Sequence, residues 1–191
     1  LVLHGDLPSK KQLKKFIKEE RSERKLSKQI VKDIQKMPKN AHPMDVIRTC
    51  VSLMALEDKD TKDNSPKANM RKAMRIFSKT PTAVAAFFRA RKGKKIISPS
   101  NKLSFAENFF KMMFGKVPDK EIVRAFDISL ILYAEHSFNV STFTARTITS
   151  SLSDLHGAIT GAIASLKGPL HGGANEAVMH MMKEIGKPEK A

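Results

Sequence analysis

Hydrophobic residues recur every three or four positions along most of the chain, which is the spacing of one face of an α-helix. One such stripe runs from Met44 to Met54, and another runs from Ile122 to Tyr133. No segment shows the strict alternation of apolar and polar residues that is typical of a half-buried strand. The pattern therefore predicts an all-α fold.

Short motifs mark where the predicted helices begin. Two of them have the form of a capping box, in which a serine and the glutamine or glutamate three residues later satisfy each other's main-chain N–H groups. Proline marks further helix starts, since its missing N–H leaves nothing unpaired at the first helical position. The capping boxes are Ser9 with Gln12 and Ser104 with Glu107, and the prolines are Pro43, Pro66 and, after a predicted break at Thr80, Pro81.

Small residues lie four positions apart in the helix predicted over about 157–167, at Gly157, Gly161 and Ser165. A face without bulky side chains lets a neighbouring backbone approach closely. Gly168 and Pro169 end this helix, and another helix is predicted to begin near Gly173.

Composition narrows the class of protein. The chain has 191 residues, of which 41% are hydrophobic, and one cysteine. This apolar content is enough for a packed core. A single cysteine excludes a disulfide framework and a multi-cysteine metal site. No apolar run approaches the ~18 residues that span a bilayer. Because the chain opens on Leu1, we expect it to be part of a longer polypeptide.

The positive charge is concentrated in the first half of the chain. Residues 1–100 hold 25 Lys and Arg against 10 Asp and Glu, whereas residues 101–191 hold 10 against nine. The positive charge of residues 1–100 indicates either that the protein binds a polyanionic partner or that this part has a lysine-rich surface exposed to solvent. Acidic residues alternate with the lysines of 10–39, and aromatic residues do not interleave with them in the manner of a base-stacking groove, so the pattern favours the solvated surface.

His171 lies in a turn that could carry chemistry. It stands between the helix end at Gly168–Pro169 and two glycines, Gly172 and Gly173, that begin the next helix. A helix N-terminus offers free N–H groups and a positive potential, which favours a neutral imidazole able to donate a hydrogen bond to developing negative charge. The alternative is a glycine-rich turn in which the histidine has no function.

His136 follows the stripe that ends at Tyr133, so it is predicted to lie at a helix C-terminus. The helix dipole favours an imidazolium there, which could hold a carboxylate, or the ring could simply cap helix carbonyls. Asn139 or Ser141 is predicted to cap the following helix. The other histidines are weaker candidates: His42 precedes a proline in a turn, and His4, His156 and His180 have no polar companions that would focus chemistry.

Two stretches resemble the citrate synthase family, on its bacterial-type citrate and 2-methylcitrate synthase branch. They are Ala134-Glu-His-Ser-Phe-Asn-Val-Ser-Thr-Phe-Thr-Ala-Arg146 and Leu166-Lys-Gly-Pro-Leu-His-Gly-Gly-Ala-Asn-Glu-Ala-Val178. Shorter matches, such as His42-Pro-Met-Asp-Val-Ile-Arg-Thr49, extend the resemblance over essentially the whole chain. It covers about half of a family member.

The resemblance implies an activity and roles for three residues. Family members condense an acyl-CoA with oxaloacetate and hydrolyse the thioester, with release of CoA. His171 matches the histidine that hydrogen-bonds the thioester oxygen and stabilises the enol. His136 matches the histidine that binds oxaloacetate, with Asn139 beside it. The resemblance implies acetyl-CoA or propionyl-CoA as substrate, no permanently bound cofactor and no metal. Acetyl and propionyl differ by one methylene, which contributes only ~1–3 kcal/mol of discrimination, so the sequence does not decide between the two acyl groups.

The family's catalytic aspartate lies downstream of the residues matched here, so the chain is expected to be a fragment that is inactive alone. Neither Asp154 nor Glu176 aligns with that base. The resemblance implies a multihelical large domain over 1–173 and the beginning of a small domain over 174–191.

Family members are homodimers, so helices near 43–56, 67–91 and 121–152 are expected at the interface, with ordinary core as the alternative for their apolar stripes. The expected location is the cytoplasm, with the mitochondrial matrix as the other compartment in which the family occurs. Two non-catalytic alternatives are a basic helical protein that binds nucleic acid and a dimerisation scaffold. The resemblance favours the synthase over both.

Overall fold

A computed structural model of the chain describes residues 1–135, 138–187 and 189, and this part contains α-helices and turns but no β-strand, which confirms the all-α prediction. None of the described helices combines the length and the apolar character needed to cross a membrane. In chain order the helices are α1 (Lys10–Glu23), α2 (Lys28–Lys36), α3 (Pro43–Glu57), α4 (Pro66–Arg91), α5 (Phe105–Phe114), α6 (Lys120–Leu132), α7 (Val140–Ser150), α8 (Leu155–Leu166) and α9 (Gly173–Ile185).

Both predicted capping boxes form. At the start of α1 the Ser9 N–H donates to Gln12 Oε1 over 2.8 Å, and the Gln12 N–H donates to Ser9 Oγ over 3.4 Å. At the start of α5 the same exchange joins Ser104 and Glu107 over 2.8 and 3.3 Å. Gly115 then ends α5 with φ of +87°, in the left-handed region that glycine adopts without strain.

The predicted break at Thr80–Pro81 is wrong, since α4 continues through Pro81 as one 26-residue helix. A proline inside a helix removes one main-chain hydrogen bond and crowds the preceding turn. The Thr80 hydroxyl donates to the Ile76 carbonyl over 2.7 Å, and the turn after the proline is buried from Ala83 to Phe87. Burial of that turn against the core outweighs the local cost of the proline, which no local signal could show.

The main hydrophobic core lies between α2, α3 and α4. Ile34, Cys50, Met54 and Phe87 are all less than 5% exposed and belong to one cluster. The apolar stripe of α3 therefore faces the core, and the structure supports the core alternative over an interface for its central residues. Burial raises the pKa of the Cys50 thiol to about 12, with a smaller contribution from the nearby Asp33 carboxylate.

A buried arginine ties the end of α1 to the segment before α5. The Arg24 guanidinium donates two hydrogen bonds of 2.7 Å to the Glu20 carboxylate and two more, of 2.7 and 3.0 Å, to the carbonyls of Ser100 and Leu103. Both side chains are almost fully buried. Because every charge in this pair is hydrogen-bonded, removing one partner would leave the other buried and unpaired, at a cost of about 3–5 kcal/mol.

The loop between α3 and α4 is pinned to α4 by ion pairs. Arg75 donates two hydrogen bonds of 2.7 Å to Asp58 and one of 2.6 Å to Asp60, which also pairs with Arg71. Burial alone would raise the pKa of Asp58, but the Arg75 guanidinium holds it below its usual value.

His156, in the first turn of α8, is only 1% exposed and packs beside this loop. Its Nε2 lies 3.5 Å from Asp58 Oδ2, and its Nδ1 lies 3.8 Å from Asp154 Oδ1. His156 therefore has two carboxylate companions, and the sequence did not show that Asp58, in the loop after α3, would be one of them. Desolvation by burial lowers the pKa of His156, against the opposing effect of the two carboxylates.

Of the small residues of α8, Gly161 lies against α7. A side-chain carbon placed on Gly161 would collide with the Ile148 side chain of α7, so glycine at this position sets how closely the two helices approach. This packing places the start of α7 beside the turn that follows α8.

That turn, residues 167–172, is compact because two glycines lie against main-chain carbonyls. A Cβ on Gly172 would stand 2.5 Å from the Leu166 carbonyl oxygen, and one on Gly173 would stand 2.8 Å from that of Gly168. The helix that follows, α9, is exposed along most of its length.

Replacement of Gly172 by alanine is expected to open the turn, since the new methyl would overlap main-chain atoms that cannot move independently. We expect Gly172→Ala to lower the free energy of unfolding by about 1–3 kcal/mol, as overpacking commonly does. The matched control is Gly157→Ala, whose methyl meets the movable Ser153 hydroxyl at 3.2 Å and the Asp154 side chain at ordinary contact distance, and gains helix propensity. Urea unfolding measures both, and equal stabilities for the two variants would contradict this account.

The buried His156 predicts a loss of stability in mild acid. Its pKa in the folded chain lies below the ordinary value of a histidine side chain, about 6.5, so the unfolded chain binds the extra proton first as the pH falls through that value. The free energy of unfolding should then decrease by up to about 1.4 kcal/mol per pH unit until the lowered pKa is reached. Urea unfolding between pH 7.5 and 5 measures the slope, which should flatten in His156→Gln and persist in His180→Gln, a control at an exposed histidine. An unchanged slope in His156→Gln would exclude the buried imidazole as its source.

Candidate functional site

An open cleft of about 830 Å³ lies where the N-terminal ends of α3 and α7 meet the turn between α8 and α9. Its lining includes His42, Asn139, Ser141 and His171 together with apolar atoms of Met44 and several neighbours. The volume is in the range of sites that enclose a small molecule. A smaller hollow of about 250 Å³ adjoins it and shares the Asn139 side of the cleft.

His171 lies half-buried in this cleft, two residues before α9 begins, as the sequence predicts. The main-chain N–H of Ser141 donates to His171 Nε2 over 3.4 Å. An amide N–H cannot accept a hydrogen bond, so this contact requires a lone pair on Nε2. The geometry therefore assigns a neutral ring with its hydrogen on Nδ1, which leaves an N–H donor for a ligand.

Asn139 joins the same group through Ser141. Its Oδ1 accepts from the Thr142 N–H over 2.8 Å, which makes Asn139 the cap of α7 and settles the choice that the sequence left open. The Ser141 hydroxyl lies 2.7 Å from Asn139 Oδ1 and 3.0 Å from His171 Nε2, and with one hydrogen it donates to one of them at a time. Two of the three residues singled out in the sequence thus meet through a serine that was considered only as a cap.

His136, the third, lies outside the residues that the structure describes. Its neighbours in sequence on both sides, Glu135 and Asn139, line the cleft. The role of His136 stays a prediction.

The expectation of free N–H groups at the start of α9 is wrong for three positions. The N–H groups of Gly173, Ala174 and Asn175 donate over 3.1–3.2 Å to the carbonyls of Gly168, His171 and Gly172 respectively. The tight glycine turn brings these carbonyls back over the helix end. His171 therefore depends on its own ring N–H, rather than on neighbouring main-chain donors at these positions, to meet negative charge.

His42 and Glu176 line the cleft, although the sequence did not single them out as functional. His42 caps α3, and its Nδ1 accepts from the Met44 N–H over 3.2 Å, so the hydrogen of the neutral ring is on Nε2. That Nε2 faces Glu176 Oε2 at 3.3 Å. A histidine directly before a proline at the first helical position is a recognisable cap, but its partner 134 residues away is not visible in the sequence.

A second contact across the cleft joins Asp45 of α3 to Lys167 at the end of α8, with 2.7 Å between Oδ2 and Nζ. Arg48 approaches the other oxygen of the same carboxylate at 3.1 Å. The hydrogen bond from Lys167 is the largest of several effects that lower the pKa of Asp45.

Comparisons with known proteins agree with the architecture and the motifs. Residues 1–191 match a family model described as citrate synthase, C-terminal domain. The chain is 49% identical over 191 residues to a citrate synthase of Mycolicibacterium smegmatis and, equally, to a 2-methylcitrate synthase of Mycobacterium tuberculosis. These matches cover 100% of this chain and 51% and 48% of the two relatives, so the chain spans about half the length of the curated relatives it matches.

Solved structures show the same relationship. The citrate synthase of Pyrobaculum aerophilum superposes with a TM-score of 0.91 at 37% identity, over 100% of this chain and 49% of that one. The citrate synthase of Thermoplasma acidophilum, solved as a ternary complex with carboxymethyl coenzyme A and oxaloacetate, superposes with a TM-score of 0.89 at 29% identity, over 98% of this chain and 49% of that one. The two non-catalytic alternatives find no support in these comparisons. With a family model matched over its whole length and a shared fold, the chain belongs to the citrate synthase family.

Proposed function

We propose that the chain supplies part of the active site of an enzyme that condenses an acyl-CoA with oxaloacetate and then releases CoA. The observation that carries this proposal is the hydrogen bond from the Ser141 N–H to His171 Nε2, which leaves a neutral imidazole with a donor on Nδ1 beside a cleft of ligand size. Relatives named for citrate and for 2-methylcitrate synthesis match equally well, so the acyl group is acetyl or propionyl.

His171 acts on the acyl-CoA in this proposal. Loss of a proton from the carbon next to the thioester places negative charge on the thioester oxygen. An oriented N–H donor stabilises that charge more in the transition state than in the ground state, which is the requirement for catalysis. A neutral imidazole suits this task because it donates a hydrogen bond and keeps its proton.

His136 and Asn139 bind oxaloacetate in this proposal. The Thermoplasma acidophilum relative, solved with oxaloacetate and an acyl-CoA analogue, supports a site of this kind in the fold. The Asn139 carbonyl oxygen is engaged in capping α7, so the amide nitrogen is the part of this side chain that we assign to a ligand. Oxaloacetate and acyl-CoA are the proposed partners, with no permanently bound cofactor.

The base that removes the proton is not assigned to this chain. Asp154 accepts the Gly157 N–H as the cap of α8, and Glu176 faces His42, so both acids already have structural contacts. We assign 1–173 to the large helical domain and 174–191 to the start of the small domain. The exposure of α9 supports this boundary, since Val178 and Met182 are 48% and 58% exposed.

A homodimer in the cytoplasm is part of the same proposal. Exposed apolar side chains on α6 and α7 support an interface there, among them Ile128, Ile131 and Phe143 at 45%, 73% and 70% exposure. Burial of such a surface is the usual drive for permanent association.

Removal of the proposed donor should abolish turnover. In the complete polypeptide that contains this chain, we expect His171→Ala to lower kcat/KM for thiol release from acyl-CoA and oxaloacetate about 10³-fold, the usual effect of losing one such donor. His180→Ala, at an exposed histidine of α9, is the control and should leave the rate unchanged. The 191-residue chain assayed alone should give no turnover. Wild-type rates in His171→Ala would refute the proposal.

Binding of oxaloacetate should depend on His136. Calorimetric titration of the complete polypeptide should show oxaloacetate binding that His136→Ala weakens by about 10²-fold, since a charge-assisted hydrogen bond to a carboxylate contributes roughly 1.5–3 kcal/mol. His4→Ala, in the exposed N-terminal segment, is the control. An unchanged affinity in His136→Ala would remove this residue from the site.

A further inference from the structure

Two side-chain pairs fasten the ends of the His171 turn to the first turn of one helix. Lys167, the first residue of the turn, pairs with Asp45 at 2.7 Å. Glu176, in the first turn of α9, faces His42 at 3.3 Å. His42 and Asp45 are the cap and the third residue of α3, so one helix end meets both sides of the turn. We propose that these two pairs are positioning residues, which hold His171 in the orientation that its chemistry needs. The main pair is Asp45 with Lys167, and the additional pair is His42 with Glu176.

Main-chain hydrogen bonds shape the turn internally, among them the His171 N–H to the Gly168 carbonyl over 3.0 Å, but few side chains attach it to the rest of the fold. Leu170, the residue before His171, is 99% exposed, so it contributes no packing. The ring itself is held from one side, at Nε2, by Ser141. A rotation of the turn about that contact would change the position of Nδ1, and the two pairs oppose it from opposite ends.

The Asp45–Lys167 pair is the stronger of the two. It is a short hydrogen-bonded ion pair in which both side chains are about one-third exposed. Arg48 shares the same carboxylate but belongs to α3 itself, so it holds Asp45 without touching the turn. Removal of Arg48 would therefore take one cation from Asp45 and leave the contact between Asp45 and the turn in place, which makes it a matched control for removal of Lys167.

His42 contributes through a fixed tautomer. The Met44 N–H occupies Nδ1, which directs the Nε2 hydrogen of the neutral ring toward the Glu176 carboxylate. The contact is long and exposed, so its role is to limit the motion of the α9 end of the turn rather than to add much stability.

The inference rests on the proposed function for its effect on rate. A donor displaced by about 1 Å can lose roughly 10²-fold in turnover, because catalysis depends on the geometry of the donor relative to the developing charge. Loss of positioning should therefore appear in kcat and leave oxaloacetate binding, which does not use His171, nearly intact.

The first experiment compares Lys167→Met with Arg48→Met in the complete polypeptide. Each change removes one cation from Asp45 and keeps a long apolar side chain, but only Lys167→Met removes a contact between Asp45 and the turn. We expect kcat to fall at least tenfold in Lys167→Met, with KM for oxaloacetate changed less than about threefold and Tm within about 2 °C of wild type. Asp45→Asn should lose as much as Lys167→Met, and the double variant should lose no more than either. An equal fall in Arg48→Met, or additive losses in the double variant, would overturn the inference.

The second experiment does not depend on turnover. Diethyl pyrocarbonate acylates accessible, unprotonated imidazole nitrogens, and mass spectrometry of the peptide that contains His171 gives its rate of modification. A loosened turn exposes Nε2 more often, so the rate should rise about threefold or more in Lys167→Met and stay at the wild-type value in Arg48→Met. If the wild-type polypeptide makes no product, the proposed function fails, and this comparison still decides the positioning role. Equal rates in the two variants would refute it.

Discussion

An amide N–H can only donate, and this simple constraint organises the cleft. Because the Ser141 N–H meets Nε2 of His171, the ring must present a lone pair there and its hydrogen on the other nitrogen. The protein thus selects a tautomer with a main-chain group, which cannot rotate away as a side chain could. The chemistry that we assign to the chain follows from that selection.

The contact exists because α7 and α8 pack closely and because the turn after α8 is tight. Gly161 lets the start of α7 come near the end of α8, and Gly172 lets the chain fold back over Leu166. Bulk at either position would move Ser141 and His171 apart. Glycine therefore acts here through the distance between two helices rather than through flexibility.

The sequence predicts most of the secondary structure, since caps, first-turn prolines and apolar spacing are local signals. The boxes at Ser9 and Ser104 form as expected because each needs only four consecutive residues. Pro81 shows the limit of local signals, because the burial that carries α4 through it comes from distant parts of the chain.

The sequence likewise predicts some residues of the candidate site but not the contacts between them. The sequence singles out His171, which lies beside glycines and a helix start, and Asn139, which is a cap candidate within a stretch that resembles the family. It does not show that Ser141 joins them, that the first N–H groups of α9 are already paired, or that His156 meets Asp58. The Ser141 and Asp58 contacts join residues that lie 30 or more positions apart, and the α9 pairing depends on the exact path of the turn, so no apolar or capping pattern within one helix shows them.

The lone cysteine of the chain has a practical consequence for work on this fold. Cys50 is fully buried, and its thiol keeps its proton at any pH used for assays. A disulfide reagent reacts with thiolates, so it would not modify this side chain in the native fold. Once the core opens, the same sulfur becomes reactive, which makes it a built-in reporter of global unfolding that requires no engineered label.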